Sequence, residues 1–177
     1  MAFKYSFSFI HCDLSDAIKK DLELFWAKHD RIYNESLETS IQANINSPDI
    51  KFSINSTTIE KEPAALARNI NGRVVAVVFL YLRSLDPELG FGKNAYFQHM
   101  YVPEENRTFR LTSGLYQYFL AEFIARASTY KKSVEYLMAE NANPGLQTKG
   151  MRRYFAKSGF RYIGRNSLNS EVWALKI

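Results

Sequence analysis

The sequence predicts a mixed α/β fold, an α+β arrangement around one mixed sheet. Residues 74–82 are almost continuously apolar, which is typical of a strand buried on both faces. The Asn71-Gly72 pair just before them is a strong hairpin signal. After residue 110 the apolar residues recur at helical spacing instead. With 177 residues, 46% of them hydrophobic, the chain is long enough to bury one sizeable core.

The first part of the chain predicts one strand followed by two helices. Residues 3–10 alternate between apolar and polar, as a half-buried strand does. A helix follows, with Asp13 or Ser15 as its N-cap, and residues 35–45 predict a second, weaker helix. Its apolar stripe is formed by Ile18, Leu22, Phe25, His29 and Tyr33. The polar residues 46–62 predict a loop with a short strand at 51–54.

The rest of the chain alternates between strands and helices. A hairpin of strands 64–70 and 73–83 is followed by a loop at 86–93 and by strands at 95–102, 134–139, 160–164 and 172–177. A long helix after residue 110 and a short one at 148–157, closed by Gly159, are predicted between them. The long helix is marked by Leu111, Leu115, Tyr118, Phe119, Glu122, Phe123 and Arg126. The predicted order is β-α-α-β-β-β-α-β-α-β-β, and no repeat or linker divides residues 1–177, so we expect one domain.

Composition narrows the classes of function. The net charge of +5 is compatible with binding phosphate groups, coenzyme A or nucleic acid. An incidental surface charge that serves no partner is the alternative. Cys12 is the only cysteine, so an intrachain disulfide and a cysteine-rich metal site are excluded. The three histidines are not clustered at metal-ligand spacing, so we expect no metal. We expect a cytoplasmic protein, because the sequence shows no signal peptide and no run near about 18 apolar residues.

One connection between a strand and a helix has the character of a phosphate site. The predicted strand ends at Val102, a polar turn with Pro103 and Arg107 follows, and the long helix then begins. The first turn of a helix carries free backbone N–H groups and the positive end of the helix dipole, so it attracts anions. Arg110 adds a charge there. An ordinary connection with no ligand remains the alternative reading of this stretch.

Two segments resemble the GNAT N-acyltransferase family. Val102-Pro103 followed by Arg107-Thr-Phe-Arg110-Leu-Thr112 is similar to the family's main motif, Arg/Gln-x-x-Gly-x-Gly/Ala after a strand that ends in Val. Arg110 and Thr112 stand where the family has glycines. Residues 151–160 resemble the family's Tyr-x-x-x-Gly-Phe segment, with Phe155 at the tyrosine position. The resemblance covers residues 63–177 as an acetyl-CoA-binding core, and it makes residues 1–62 the variable acceptor side.

The resemblance implies a GNAT fold and an acetyl-CoA-dependent N-acetyltransferase. The strand end would pair with the pantetheine amides, the turn would hold the pyrophosphate, and an amine would attack the thioester. The cofactor-binding residues that it implies are Met100, Tyr101, Val102, Arg107, Thr108, Phe109, Arg110, Leu111, Thr112, Ser113, Gly114, Asn143 and Phe155.

Candidate residues for chemistry lie on or near the same strands. His99 is the first candidate for the base that takes the amine proton, because its ordinary pKa lies near neutrality, and Glu140 is the alternative. Tyr154 is the candidate acid for the leaving thiolate. Asn141 joins Asn143 as a candidate contact for the pantetheine arm, with a turn role equally open for both. On the first helix, Trp26, His29 and Tyr33 are predicted to line the acceptor cleft.

Three hypotheses about function follow. The first is an acetyl-CoA-dependent N-acetyltransferase acting on a small-molecule amine or on an amine of a protein or peptide. The second is a GNAT-like enzyme that modifies nucleic acid, which the basic charge permits but does not favour. The third is a binding module that has lost catalysis, which Arg110, Thr112 and Phe155 at motif positions suggest. No membrane partner is expected, and the protein is expected to be a monomer or a homodimer.

Overall fold

The computed structural model describes residues 4–45, 61–129, 134–166 and 168–177. These residues form three α-helices and seven strands, joined in places by short 3-10 turns. The helices are α1 (Asp16–Ile45), α2 (Phe109–Ala125) and α3 (Lys149–Lys157). The strands are β1 (Tyr5–Phe9), β2 (Glu62–Asn69), β3 (Val74–Ser84), β4 (Asn94–Tyr101), β5 (Val134–Asn141), β6 (Arg161–Arg165) and β7 (Glu171–Lys176).

The strands form one mixed sheet in the order β1-β2-β3-β4-β5-β7-β6. The pairs β1–β2, β2–β3, β5–β7 and β6–β7 are antiparallel, whereas β4 and β5 run parallel. Helix α2 lies between β4 and β5 in the chain, which is the long crossover that a parallel pair requires. Gly72 takes the left-handed conformation at the predicted hairpin turn, with φ of 75°. The predicted mixed α/β fold is thus confirmed.

One prediction about the helices was wrong: α1 is a single helix of 30 residues, not two. The predicted break near Asn34 rested on a gap in the apolar spacing. No proline or glycine occurs between residues 16 and 45, so nothing in the backbone chemistry stops the helix there. Ser15 caps its start, as predicted, by accepting from the Ile18 amide at 3.4 Å. The strand predicted at 51–54 lies outside the described residues.

The chain folds into two compact units. The first contains residues 4–33, 61–80 and 99–129, and the second contains residues 34–45, 81–98, 134–166 and 168–177. The passage from one unit to the other occurs within α1, β3 and β4.

In the first unit, α1 and α2 cover opposite faces of the strands. Helix α2 stacks Phe119 on Phe9 of β1 at 6.4 Å between ring centroids. On the other face, α1 places Trp26 against Phe79 of β3 at 5.4 Å. Also on that face, Asp21 of α1 accepts from Arg68 of β2 at 2.6 Å. The central residues of β3 are therefore buried from both sides.

The second unit packs α3, β6 and β7 around aromatic rings and one buried carboxylate. Phe155 of α3 stacks on Trp173 of β7 with ring centroids 5.4 Å apart. Glu171, only 1% exposed, pairs with Arg152 of α3 and lies 3.5 Å from Arg165 of β6. Gly159 follows α3 with φ of 90°, as the predicted helix stop requires. The pairing of β6 with β7 is irregular near Tyr162.

Replacing Phe119 with alanine should remove a side chain that is fully buried against Phe9 and Phe123. The lost burial and the cavity that remains should lower the free energy of unfolding by roughly 3–5 kcal/mol. Phe109→Ala is the matched control, because this ring on the same helix is 82% exposed and should change stability by less than about 0.5 kcal/mol. Urea unfolding of the two variants measures both, and equal losses would contradict this account of the α2 interface.

Candidate functional site

The C-terminal end of β4 extends past its pairing with β5. Among the described residues the β4–β5 register runs from Asn94↔Val134 to Gln98↔Ala139. β4 itself continues to Tyr101. Three residues of β4, from His99 to Tyr101, therefore lie beyond the last pair with β5. Two of them, Met100 and Tyr101, were predicted with Val102 to pair with the pantetheine arm, and the third, His99, is the predicted base.

A cluster of aromatic rings surrounds this strand end in the first unit. Tyr33 of α1 lies at its centre, with ring centroids 5.6 Å from His99, 5.0 Å from Tyr101 and 5.4 Å from Trp26. His29 lies 6.2 Å from Tyr101. The three residues predicted to line the acceptor cleft are thus brought together with the predicted base. His29 and Tyr33 are buried in this packing, and Trp26 is half-buried.

Lys61 is part of this cluster, although the sequence did not single it out. Its Nζ donates to the Tyr33 Oη at 2.7 Å and lies 5.0 Å from the centre of the same ring. Burial lowers the pKa of Lys61. Burial, and secondarily Tyr101, raises the pKa of Tyr33 to about 12, so the phenol keeps its proton at neutral pH. Lys61 thus places an ammonium group next to His99 and Tyr33.

His99 lies on the face of the sheet that α1 covers. Its ring meets Tyr33 of that helix, and Tyr101, two residues along the strand, does the same. Gln98 points to the opposite face, because side chains alternate along a strand. Burial, and secondarily the charge of Lys61, lowers the pKa of His99 to about 4. The imidazole is therefore neutral at pH 7, with a ring nitrogen able to accept a proton.

Helix α2 begins just after the turn that resembles the GNAT motif, and a side chain caps its N-terminus. Thr108 is the N-cap, and its Oγ1 accepts from the Leu111 amide at 3.2 Å. The Nε of Arg107 donates to the Val102 carbonyl at 2.9 Å, which holds that guanidinium against the strand end. Arg110 is exposed. The amides at the first positions of a helix have no intrahelical acceptor, so they remain available to an anion.

Three predicted cofactor residues have side chains engaged elsewhere. Leu111 is fully buried. The Thr112 hydroxyl donates back to the Thr108 carbonyl at 3.0 Å. Gly114 faces Phe7 of β1, whose ring carbon would lie 3.0 Å from an added Cβ, so its small size serves helix packing. Arg110 and Phe109, in contrast, are exposed at the start of the helix.

In the second unit, Glu140 is held by two partners. Its Oε1 accepts from Arg83 Nη1 at 2.9 Å and from Asn166 Nδ2 at 3.2 Å. The two asparagines that follow have turn roles. Asn141 Nδ2 donates to the Leu146 carbonyl at 2.9 Å, and Asn143 Oδ1 accepts from the Gly145 amide at 2.8 Å.

Helix α3 carries the second segment that resembles the GNAT pattern. Phe155, at the position of the family's tyrosine, is half-buried and packs its ring against Trp173 and Phe160, which are buried. Tyr154 is half-buried, and its ring meets the Phe155 ring edge-on at 6.3 Å. Its role as an acid remains a prediction.

Comparison with known proteins identifies the fold. No protein-family model and no curated protein sequence matches the chain. Among solved structures, an acetyltransferase of the GNAT family from Listeria monocytogenes matches with a TM-score of 0.55 and 11% identity, over 98% of this chain and 95% of that one. An aminoglycoside N(6')acetyltransferase from Legionella pneumophila matches with a TM-score of 0.50 and 14% identity, over 99% and 94%.

A third solved structure, an uncharacterized protein from Bacillus halodurans, matches with a TM-score of 0.52 and 13% identity, over 97% of this chain and 83% of that one. At these identities the likeness shows the fold, and the chain has the GNAT fold. No helix among the described residues is long and apolar enough to span a membrane.

The half-buried, neutral state of His99 should make stability depend on pH. Folded His99 takes up a proton near pH 4, whereas in the unfolded chain it does so near 6.5. Between these values the unfolded state binds more protons, so the free energy of unfolding should fall as the pH is lowered from about 7 to about 4. The contribution of His99 to that fall is roughly 2–3 kcal/mol.

His99→Gln removes this titration and leaves His11 and His29 in place. The pKa values of these two histidines are also lowered by burial, so they act in the same direction in both proteins. Urea unfolding at pH 7 and pH 4 should therefore show a smaller pH effect in the variant. If the free energy of unfolding changed with pH by the same amount in both proteins, His99 would not be held in its uncharged form in the folded state.

Proposed function

We propose that the protein is an N-acetyltransferase that takes the acetyl group from acetyl-CoA and transfers it to an amine. The observation that carries the proposal is the position of His99. It lies on the part of β4 beyond the last pair with β5, next to Tyr33 and Lys61, in a chain with the GNAT fold. The acceptor is proposed to be a small-molecule amine or an amine of a protein or peptide.

The first unit supplies groups suited to both ends of the coenzyme. The free edge of the β4 backbone at residues 99–101 offers N–H and C=O groups to the pantetheine amides. The N-terminus of α2 offers the amides of Phe109 and Arg110 to the pyrophosphate. The Arg110 guanidinium is exposed beside them and adds a charge-assisted bond. The bound acetyl-CoA supplies the thioester carbonyl that the amine attacks.

His99 is the proposed base. A neutral imidazole nitrogen accepts the proton that the amine loses as it forms the new C–N bond. The charge of Lys61 and the burial of the ring both disfavour the imidazolium, so the base is available throughout the neutral range but is a weak one. This weakness fits an acceptor that reaches the site already as the neutral amine.

Glu140 is the less suitable base. Its carboxylate oxygen already accepts from Arg83 and Asn166, so removing a proton from a substrate would compete with both bonds. The arrangement instead suits a structural ion pair, since Arg83 also lies over the Phe97 ring at 4.6 Å. The proposal therefore assigns the proton to His99 and leaves Glu140 to support β3 and β5.

Acetyl-CoA should stabilise the protein, and Arg110→Glu should reduce that effect. A ligand at about 100 times its Kd that binds only the native state adds roughly 2.7 kcal/mol. Losing the charge-assisted bond of Arg110 and placing a carboxylate near the pyrophosphate should raise the Kd by about 10-fold or more. Thermal shift and calorimetry measure the two effects.

Arg153→Glu is the matched control for that experiment, because Arg153 is an exposed arginine on α3. It should leave the Kd for acetyl-CoA unchanged. If millimolar acetyl-CoA produced no thermal shift in the wild-type protein, the acetyl-CoA proposal would be wrong. If Arg110→Glu behaved like Arg153→Glu, the pyrophosphate would not lie at the start of α2.

His99 should matter more for turnover than Glu140. His99→Ala and the closer-sized His99→Gln should lower kcat by about 10²–10⁴-fold, the usual contribution of a general base. Glu140→Gln, which keeps the size of the side chain, should lower kcat by less than about tenfold. All three variants should retain the wild-type Kd for acetyl-CoA. Steady-state kinetics with one amine acceptor measures this, and the reverse ranking would assign the proton to Glu140.

A further inference from the structure

A second group of reactive side chains lies where β1 ends, and none of its members is used in the proposed acetyl transfer. The turn after β1 carries His11 and Cys12, and β2 begins with Glu62. Ile10 and His11 both donate their amides to the Ala64 carbonyl, at 2.8 and 3.2 Å, which fixes the turn against the start of β2. One donor atom from each of His11, Cys12 and Glu62 lies within 4.8 Å of the other two.

The separations fit a shared cation. His11 Nδ1 and Glu62 Oε2 are 3.6 Å apart. Two ligands bound to one tetrahedral zinc at about 2.0–2.1 Å each would be about 3.3 Å apart, so these two atoms need only a small adjustment. Glu62 is exposed and Cys12 is exposed, which allows both side chains to make that adjustment and gives an ion a path from solvent.

The backbone at Cys12 is unusual for a residue with a side chain. Its φ is 64°, in the left-handed region, within a turn that the Asp13 amide closes on the Ile10 carbonyl at 3.0 Å. Glycine or asparagine is the residue that such a position favours, because a Cβ there is strained by about 1–2 kcal/mol. At this position the thiol lies within 4.8 Å of donor atoms of His11 and Glu62, whereas glycine would leave the turn without a third donor.

We propose that His11, Cys12 and Glu62 bind one Zn²⁺ ion. A thiolate sulfur, an imidazole nitrogen and a carboxylate oxygen are all zinc ligands, and a water molecule would complete the tetrahedron. On binding, the Cys12 thiol releases its proton to solvent and the thiolate sulfur forms the bond to the metal. This inference goes beyond acetyl transfer and does not depend on it.

A simple ion pair is the competing explanation. It accounts for His11 and Glu62, but it gives no reason for a strained cysteine whose thiol reaches both. The sequence predicted no metal here because its histidines are scattered. Glu62 is fifty residues from Cys12 along the chain, and only the pairing of β1 with β2 brings them together.

The lone cysteine makes the test specific. Co²⁺ is the probe, added to the untagged, reduced full-length chain, and thiolate-to-cobalt charge-transfer absorption can arise only from Cys12. We expect that absorption to saturate at one Co²⁺ per chain and to disappear when Zn²⁺ displaces the cobalt. Cys12→Ser should abolish it. Glu62→Gln, at an exposed side chain, should weaken binding by about 10–100-fold or more.

Glu135→Gln is the matched control, because Glu135 is an exposed glutamate on β5, and it should bind Co²⁺ as the wild type does. The proposal would be overturned by any one of three results: no charge-transfer absorption, saturation at one metal per two chains, or unchanged affinity in Glu62→Gln. The last two would indicate a thiolate bridge between chains or a site that does not include Glu62. Glu62→Gln decides the outcome even if variants of the buried His11 fail to fold.

Discussion

The burial of β3 on both faces is the constraint on which the first unit depends. Residues 75–80 of this strand are all 5% exposed or less, so apolar cover is needed above and below the sheet. Helix α1 provides it on one face through Trp26, and α2 provides it on the other with the help of the Phe9 ring. The close approach of Gly114 to Phe7 follows from the same demand. The position of the α2 N-terminus, where a phosphate is proposed to bind, is therefore fixed by core packing.

The same burial determines the electrostatics of the candidate site. Because α1 lies on the sheet face that carries His99, the imidazole and the Tyr33 phenol are partly or wholly withdrawn from water, and Lys61, an exposed residue, donates its Nζ to that phenol. Each of the three pKa values moves toward the uncharged form. A packing requirement thus leaves a neutral imidazole and a neutral phenol beside the Lys61 ammonium at the end of β4. Stability and proposed chemistry share one cause here.

The sequence predicted the strands and the later helices because their apolar periods are strong and their ends carry clear signals. Gly72 and Gly159 both mark backbone reversals that the structure contains. The single α1 was missed because apolar spacing weakens near Asn34 even though no residue there breaks a helix. The spacing of apolar residues predicts that an element is a helix or a strand. It does not predict where a helix ends when no glycine, proline or capping residue marks the boundary.

The neighbours of the candidate site residues were harder to predict than the residues themselves. The face on which His99 lies depends on strand parity, and a shift of one residue would have placed Gln98 toward α1 instead. Lys61 follows a polar stretch with no periodic pattern, so nothing in the sequence links it to Tyr33. Glu62 meets Cys12 only through long-range pairing. Contacts that join distant segments depend on the register of the sheet.

The irregular pairing of β6 with β7 has a consequence for self-association. β6 is an edge strand, and an edge strand offers unpaired backbone groups that can recruit a strand from another molecule. Gly164 interrupts this edge with φ of 134°, and the register shifts just before it. Charged Arg161 and Arg165 stand at the two ends of the strand. A short, irregular edge of five residues that carries two arginines is a poor template for β-sheet extension, even though the Tyr162 ring on it is 51% exposed.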